Sequence, residues 1–311
     1  MVTKKQEDRV MERFKPVSRA RRMLAVGAIA GAPFILAAAA IPPGSMPYGA
    51  FDPVGDYSEE TDVMIEHVFL PWEDVSLISL LDADEYALER GRALMVTVEP
   101  WTWTVDERNT PEFLRNGILN GYYDANMRGI CQVLKDLQSP ISVRWGQEME
   151  RDEGQFIWSG WEPEDYITSF QRMIDICRDQ APEISVVWSP AGDDGLEKYY
   201  PGDDYVDLVG LSIFGLEQWE TDILGGARKY QQWLDETYAR VAVFDKPVIV
   251  AELGYAGSAA YVTQWEGEVR QPQPEKPLLS GVVYFNQKEV YPWPDGYGLP
   301  DWRLENRVIS N

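Results

Sequence analysis

The chain has 311 residues, 45% of them hydrophobic, and a formal net charge of −23. This length allows one large domain of the barrel type or two smaller domains, with enough apolar residues for a sizeable core. The negative charge argues against nucleic acid and other polyanions as partners because like charges repel, whereas a neutral polymer such as a polysaccharide is compatible with it.

The N-terminal segment 1–45 differs in kind from the rest of the chain. A basic stretch, 1–22, precedes the uncharged run 23–41, whose length is close to the roughly 20 residues that span a bilayer as a helix. The basic flank predicts a cytoplasmic N-terminus and an exported remainder, periplasmic or extracellular. Ala38–Ala40 offers a small-residue cleavage site, so a signal peptide and an inner-membrane anchor both stay open, and the length of the run favours the anchor. We therefore expect a leader at 1–45 and one exported domain at 46–311.

Eight short strand-like runs, most of them rich in β-branched residues, predict β-strands. They are Tyr48–Asp52, Val63–Leu70, Ala93–Pro100, Ile141–Glu148, Ile184–Pro190, Val206–Phe214, Val248–Gly254 and Gly281–Asn286. Helical periodicity lies between several of them, at 127–137, 166–177 and 224–241. Alternating strands and helices predict a parallel sheet with right-handed crossovers, and eight strands predict an α/β fold closed as a (β/α)8 TIM barrel.

The two cysteines and the single histidine limit the chemistry that the chain can perform. Cys131 and Cys177 fall on the apolar faces of two predicted helices that flank the same strand, so a disulfide and two buried thiols both stay open. His67 is the only histidine and the chain has no Cys-x-x-Cys, which disfavours a zinc site. No Gly-x-Ser-x-Gly elbow accompanies His67. We expect neither a metal nor a cofactor.

Two glutamates lie at the ends of strand-like runs, Glu148 in the fourth and Glu252 in the seventh. In barrels of this type the residues that do chemistry come from the C-terminal ends of the strands. A carboxylate is costly at such a place unless it is needed, and two of them suggest the paired acids that cleave glycosidic bonds. The other predicted strand ends carry His67, Glu99–Trp101, Arg144–Glu150, Trp188–Pro190, Ser212–Phe214 and Asn286–Gln287.

Several of these segments together resemble a known family. They are Arg144–Glu150 (RWGQEME), Trp158, Trp188–Pro190, Tyr199–Gly210 and Ala251–Gly254. As a set they are similar to glycoside hydrolase family 26, a family of retaining (β/α)8 glycosidases dominated by endo-β-1,4-mannanases and including β-1,3-1,4-glucanases. By this resemblance Glu148 matches the acid/base and Glu252 the nucleophile. Retaining chemistry requires two carboxyls about 5–5.5 Å apart, one neutral and one ionised.

The resemblance and the strand alternation also suggest supporting residues. Arg144 shares a side of the predicted strand with Glu148, and we hypothesise that it lowers the pKa of Glu252 from beneath the pair. A structural salt bridge is the alternative for Arg144. Trp158 and Trp188 match family positions near the cleavage point and are candidate sugar platforms. We expect packing roles for the other tryptophans of this region, Trp101, Trp103, Trp145, Trp161, Trp219 and Trp293.

Three departures from the family pattern bear on the substrate. Gln147 stands where mannanases place a histidine, and we expect it to donate a hydrogen bond to a sugar hydroxyl. Glu150 adds a third carboxylate, either a solvated residue or one that acts on the acid. Phe214 stands where many members of the clan have a tyrosine whose hydroxyl orients the nucleophile.

The sequence therefore predicts an exported, membrane-tethered, retaining endo-β-glycosidase. Its predicted partner is a neutral polysaccharide, either β-1,4-mannan or a β-1,3-1,4- or β-1,4-glucan. The alternatives are a weak or inactive polysaccharide-binding barrel and a transglycosylase that serves exopolysaccharide processing.

Overall fold

The computed structural model describes residues 46–102, 108–151 and 154–309. The expected leader at 1–45 and Trp103 lie outside the described residues. Within the described ranges, no helix combines the length and apolarity that crossing a membrane requires.

Eight parallel strands form a closed barrel in which each strand pairs with its neighbours in chain order and β1 pairs with β8. The strands are β1 Tyr48–Phe51, β2 Val63–Pro71, β3 Ala93–Glu99, β4 Ile141–Trp145, β5 Ser185–Trp188, β6 Leu208–Leu216, β7 Val248–Ala256 and β8 Leu279–Phe285. The predicted (β/α)8 barrel is thus confirmed, and each predicted strand overlaps an observed one.

Helices follow most strands and cover the outside of the barrel. The described α-helices are α1 Ile78–Glu89, α2 Pro111–Leu119, α3 Asp124–Leu134, α4 Pro163–Gln180, α5 Glu217–Leu224, α6 Tyr230–Val241 and α7 Ala259–Val269. The faces predicted for α3 and α4 are buried, and Pro163 occupies the first turn of α4, where its missing N–H costs nothing. The predicted helix 224–241 was wrong in extent: Ala227 precedes α6, and Leu224 ends α5 before a left-handed Gly225.

Two layers of apolar side chains hold the barrel together. The larger layer lies between strands and helices and includes Val96, Val143 and Ile174. A separate cluster draws its buried residues from five strands, β2, β3, β5, β7 and β8, as expected of side chains that fill a barrel interior. It consists of Met64, Ile65, Met95, Val187, Ile249, Ala251 and Val283.

A disulfide between Cys131 and Cys177 joins α3 to α4. Both residues are completely buried on the facing apolar sides of the two helices. Of the two possibilities that the sequence left open, the structure therefore has the bridge. It ties together the helices that precede and follow β4, the strand that leads to Glu148.

Candidate active site

The polypeptide that carries Glu148 leaves β4 in an unusual conformation. The strand ends at Trp145, so the predicted extension to Glu148 was wrong. Gly146 and Glu148 both have left-handed backbones, with φ of 55° and 56°. This region is unfavourable for a residue with a Cβ, and such strain persists only where surrounding contacts impose it. One of these contacts is the Glu148 amide, which donates to the Ser189 carbonyl beyond β5 at 2.8 Å.

Two aromatic side chains and one backbone amide donate hydrogen bonds to the carbonyls of this turn. The Trp158 indole N–H donates to the Gln147 carbonyl at 2.7 Å, and the Tyr166 hydroxyl of α4 donates to the Gly146 carbonyl at 3.1 Å. The Gly160 amide donates to the Met149 carbonyl at 2.9 Å. The acidic side chain is therefore presented by a turn whose carbonyls are bound to the loop after β4 and to α4.

Glu252 lies in β7, where the pairing of that strand is irregular on both sides. Leu211 and Ser212 of β6 pair with Val250 and Glu252, so Ala251 is bulged out, and the register with β8 also shifts between Val250 and Leu253. A bulge re-aims the following side chain, a device that is common beside active sites. The sequence offered no signal for this bulge, because the run Val248–Gly254 has the composition of a regular buried strand.

Arg144 contacts Glu252 directly, as hypothesised. Its Nη1 lies 2.5 Å from Glu252 Oε1, and the arginine is completely buried while Glu252 is 8% exposed. Burial nevertheless raises the pKa of Glu252 to about 7; Arg144 lowers it and the charge of Glu148 raises it. Arg144 thus lowers the pKa of Glu252 as hypothesised, but desolvation outweighs this effect and the net shift of the pKa is upward.

Two more residues complete the layer beneath Glu252. Thr97 Oγ1 lies 3.5 Å from Arg144 Nη1 and 2.7 Å from His67 Nε2. Burial and the charge of Arg144 lower the pKa of His67 well below its ordinary value, so this imidazole is neutral at pH 7. A neutral ring leaves Arg144 as the cation next to Glu252.

Arg151 is the cation beside Glu148, and it was not predicted. Its Nη1 lies 3.3 Å from Glu148 Oε2, and its Nε donates to Asp193 at 2.8 Å. The only signal in the sequence was its position three residues after Glu148, which is too common to single out an arginine.

Gln147 and Glu150 are both engaged by the protein. The Gln147 Nε2 donates to Glu99 Oε1 at 2.9 Å, and the Trp101 indole donates to the other oxygen of Glu99 at 3.2 Å. Gln147 is 1% exposed, so its expected donation to a sugar is replaced by a bond to Glu99. Glu150 Oε1 accepts from the Gly192 and Asp193 amides at 2.9 and 3.2 Å. It is thus no solvated residue but joins the loops after β4 and β5.

The two tryptophans expected to be sugar platforms are buried instead. Trp158 and Trp188 have no exposed surface. Trp158 stacks on Phe156, and Trp188 packs edge-to-face against both Tyr200 and Phe244. A platform must offer a free ring face, so both were assigned wrongly, and Trp158 supports the turn of Glu148 from behind. Trp145 and Trp161 are buried as expected, while Trp101, Trp219 and Trp293 are half-buried.

Phe214 of β6 and Glu289 in the loop after β8 both contact Trp302. Phe214 packs against Trp302 with ring centroids 5.2 Å apart, so its ring serves packing. The Trp302 indole donates to Glu289 Oε1 at 2.8 Å. Burial, with a smaller contribution from the charge of Glu148, raises the pKa of Glu289 to about 7. Glu289 was missed because it follows β8 in a loop without regular periodicity.

In the part of the chain that the structure describes, no group of three or more His, Cys, Asp or Glu side chains is arranged to hold a metal ion. The site thus consists of carboxyl groups, two arginines and aromatic rings at the C-terminal mouth of the barrel. It defines the class of (β/α)8 proteins with acidic residues at the ends of the fourth and seventh strands.

The family model "Glycosyl hydrolase family 26" matches residues 96–289, a range that contains both Glu148 and Glu252. The chain belongs to glycosyl hydrolase family 26.

Individual relatives carry several different names. A β-1,3-xylanase of Alcaligenes sp is 30% identical over 206 residues, 58% of this chain and 43% of that protein. Endoglucanase H of Acetivibrio thermocellus is 26% identical over 264 residues, 78% of this chain and 26% of that protein. The chain therefore spans less than half the length of these curated relatives.

Among solved structures, a GH26 β-mannanase from Bacteroides ovatus superposes with a TM-score of 0.58 at 18% identity, covering 78% of this chain and 81% of that one. A GH26 protein from Muricauda sp. superposes with a TM-score of 0.59 at 16% identity, covering 78% and 79%. These structures share the barrel fold.

Proposed function

We propose that the protein is a retaining endo-β-glycanase acting on a neutral β-linked polysaccharide, with Glu252 as nucleophile and Glu148 as acid/base. The observation that carries this proposal is the buried contact between Arg144 and Glu252 at 2.5 Å. A fully buried guanidinium aimed at one carboxylate stabilises its ionised form, which a nucleophile needs. Glu148 lies within electrostatic reach of Glu252, because its charge acts on the pKa of Glu252.

The chemistry proceeds by two displacements. A carboxylate oxygen of Glu252 attacks the anomeric carbon while Glu148 gives its proton to the departing glycosidic oxygen. The product is a glycosyl ester on Glu252 and an ionised Glu148. Glu148 then takes a proton from water, whose oxygen attacks the anomeric carbon and releases Glu252.

The charge of Glu148 acts on Glu252 and raises its pKa. Desolvation raises the pKa of Glu252 to about 7 in the free protein, even with Arg144 beside it. Arg151 lies 3.3 Å from Glu148 on the other side of the pair. In the reactive state the proton belongs on Glu148, and the contact with Arg144 favours that distribution by stabilising charge on Glu252.

The substrate is proposed to be β-1,4-mannan or a β-1,3-1,4- or β-1,4-glucan. Gln147, bound to Glu99 at 2.9 Å, occupies the place of the mannanase histidine and favours a glucan. The name of the Alcaligenes relative adds β-1,3-xylan as a third polymer to test.

We further propose that the domain works outside the cytoplasm, with 1–45 as its signal or anchor. Disulfides form and persist in oxidising compartments, and the bridge between Cys131 and Cys177 supports such a location.

A product assay tests the proposed function. The chain from Ile41 onward is incubated with mixed-linkage β-glucan, glucomannan and β-1,3-xylan, and oligosaccharides are analysed by chromatography. We expect the unsubstituted domain to release oligosaccharides from at least one polymer, and Glu252→Ala to lose at least about a thousandfold in rate. Glu183→Ala, at an exposed glutamate just before the N-terminal end of β5 and so at the opposite end of the barrel from the site, is the matched control and retains full rate.

Three outcomes contradict the proposal in different ways. If no polymer yields a product, the proposed hydrolase activity is contradicted. Products longer than the substrate indicate transglycosylation instead. Full activity in Glu252→Ala contradicts the assignment of Glu252 as the nucleophile.

A further inference from the structure

Three half-buried aromatic side chains lie together beside the candidate active site, Trp219, Trp293 and Tyr297, here called the aromatic ledge. Trp219 belongs to α5, which directly follows β6, and the other two belong to the loop after β8. The rings of Trp219 and Trp293 are 5.8 Å apart and almost perpendicular, at 88°. The β6–β8 side of the barrel mouth is thus edged by aromatic rings that keep solvent-exposed surface.

The ledge is braced in its conformation by polar contacts. The Trp293 amide donates to the Gly298 carbonyl at 2.6 Å, which closes the turn formed by Pro294–Gly296. The Trp219 indole donates to Asp295 at 3.2 Å, and the Tyr297 hydroxyl donates to Asp222 of α5 at 2.8 Å. These last two bonds cross between α5 and the loop in both directions. A surface fixed before binding loses little conformational entropy when a ligand arrives.

The ledge is continuous with the strand that carries Glu252. Trp293 lies 5.5 Å from Trp302, and Trp302 lies 5.2 Å from Phe214, measured between ring centroids. Phe214 pairs with Gly254 of β7, just beyond Glu252, and a Cβ at Gly254 would meet both Phe214 and Trp302 at less than 3.0 Å. The aromatic series therefore begins beside Glu252 and ends at the exposed edge of α5.

The two halves of this series differ in burial, and the difference bears on their roles. Trp302 is completely buried and packs on all sides, as expected of a core side chain. Trp219, Trp293 and Tyr297 retain accessible surface, and carboxylates that also face the surface accept hydrogen bonds from Trp219 and Tyr297. Rigid rings flanked by hydrogen-bond acceptors form a surface with apolar faces and polar groups at its rim. In small-molecule sites such polar groups fix the orientation of the ligand and provide specificity.

We propose that the aromatic ledge binds further sugar units of the β-linked polysaccharide, beyond those at the point of cleavage. This proposal rests on the proposed function for the identity of the polymer. The C–H faces of pyranose rings pack on the indole and phenol faces, and the hydroxyls at their rims donate to Asp222 and Asp295. Because these contacts involve no cation on the protein, the ledge fits a neutral chain.

The proposal is tested by affinity electrophoresis of the domain from Ile41 onward, carrying Glu252→Ala so that the polymer in the gel stays intact. Mixed-linkage β-glucan, glucomannan and β-1,3-xylan serve as the three probes. We expect Trp219→Ala and Trp293→Ala each to weaken retardation by the polymer about tenfold, which corresponds to about 1.4 kcal/mol, because each change removes one binding ring and the contact that fixes the other ring. Tyr122→Ala, at an aromatic residue that is 71% exposed between α2 and α3, is the control and leaves retardation unchanged.

A second measurement separates binding from folding. In the domain with Glu252 intact, the ledge variants lower the ratio of kcat/KM on the polymer to kcat/KM on a short aryl oligosaccharide. Equal retardation of ledge variants and control, or no retardation of the parent by any probe, overturns the proposal. An unchanged kcat/KM ratio also overturns it. If the unsubstituted domain hydrolyses none of the polymers while the ledge variants still lose retardation, the proposed function is contradicted. Sugar binding by the aromatic ledge is supported in that case.

Discussion

At the scale of single residues, the site is governed by how burial and charge act on Glu252. Burial raises its pKa to about 7 against the opposing effect of Arg144. If Glu252 must be ionised to attack, kcat/KM rises as pH increases through this value and falls as the carboxyl becomes protonated below it. Because Glu148 and Glu252 interact, this acidic limb belongs to the pair.

Replacing Arg144 tests the effect of its charge. Arg144→Met removes the group that lowers the pKa of Glu252, so the acidic limb of the kcat/KM profile moves to higher pH. At a fixed pH below the limb, kcat/KM falls at least about tenfold, because the ionised fraction of a carboxyl drops tenfold each time its pKa rises by one. Arg144→Lys returns the limb part of the way, while Arg172→Met, which removes a half-buried ion pair with Asp124, leaves the limb in place. If the acidic limb of the kcat/KM profile does not move in Arg144→Met, Arg144 has a structural role alone.

At the scale of elements, β4 and its two flanking helices place Glu148. The strand ends early, two left-handed residues turn the chain, and the disulfide holds α3 against α4 on either side of it. The bridged residues are 46 positions apart in the chain. A crosslink of this span is expected to stabilise the folded state by about 2–4 kcal/mol, chiefly by restricting the unfolded chain.

Urea unfolding with and without reductant measures this contribution. We expect reductant to lower the free energy of unfolding of the domain by about 2–4 kcal/mol. The double variant Cys131→Ala/Cys177→Ala is the control: it starts from the lower value and does not respond to reductant. A domain whose unfolding is the same in both conditions, with thiols that titrate freely when unfolded, has no such bridge.

At the scale of the whole molecule, the barrel was predictable and the details of its mouth were not. Most of the eight predicted strands are apolar, β-branched runs, which indicates parallel strands buried on both faces. The amphipathic segments between them indicate helices that connect one strand to the next. The bulge at Ala251 and the left-handed Glu148 escaped prediction because they depend on register with neighbouring strands, which local composition does not encode. Trp158 and Trp188 were expected to be sugar platforms because they match family positions, and a match in sequence does not separate a platform from a core side chain.

Charged partners showed the same division. The contact of Arg144 with Glu252 could be inferred because Arg144 lies within a regular strand, where alternation fixes its side. Arg151 and Glu289 lie in loops after β4 and β8, where no regular alternation fixes the direction of a side chain. The net pKa of Glu252 likewise depends on desolvation, which is a property of the complete barrel.

As the proposed nucleophile of a retaining mechanism, Glu252 forms a covalent bond to the sugar. The most direct measurement is mass spectrometry of the domain from Ile41 onward after reaction with a 2-deoxy-2-fluoro glycoside of the hydrolysed polymer, which slows release of the glycosyl-enzyme. We predict a mass increase of one glycosyl unit, located by peptide mapping on Glu252 in the segment Val248–Ala256 and absent from Glu252→Ala. A label on another carboxylate contradicts the assignment of Glu252 as the nucleophile. Turnover of the polymer with inverted anomeric configuration and no label contradicts the retaining mechanism.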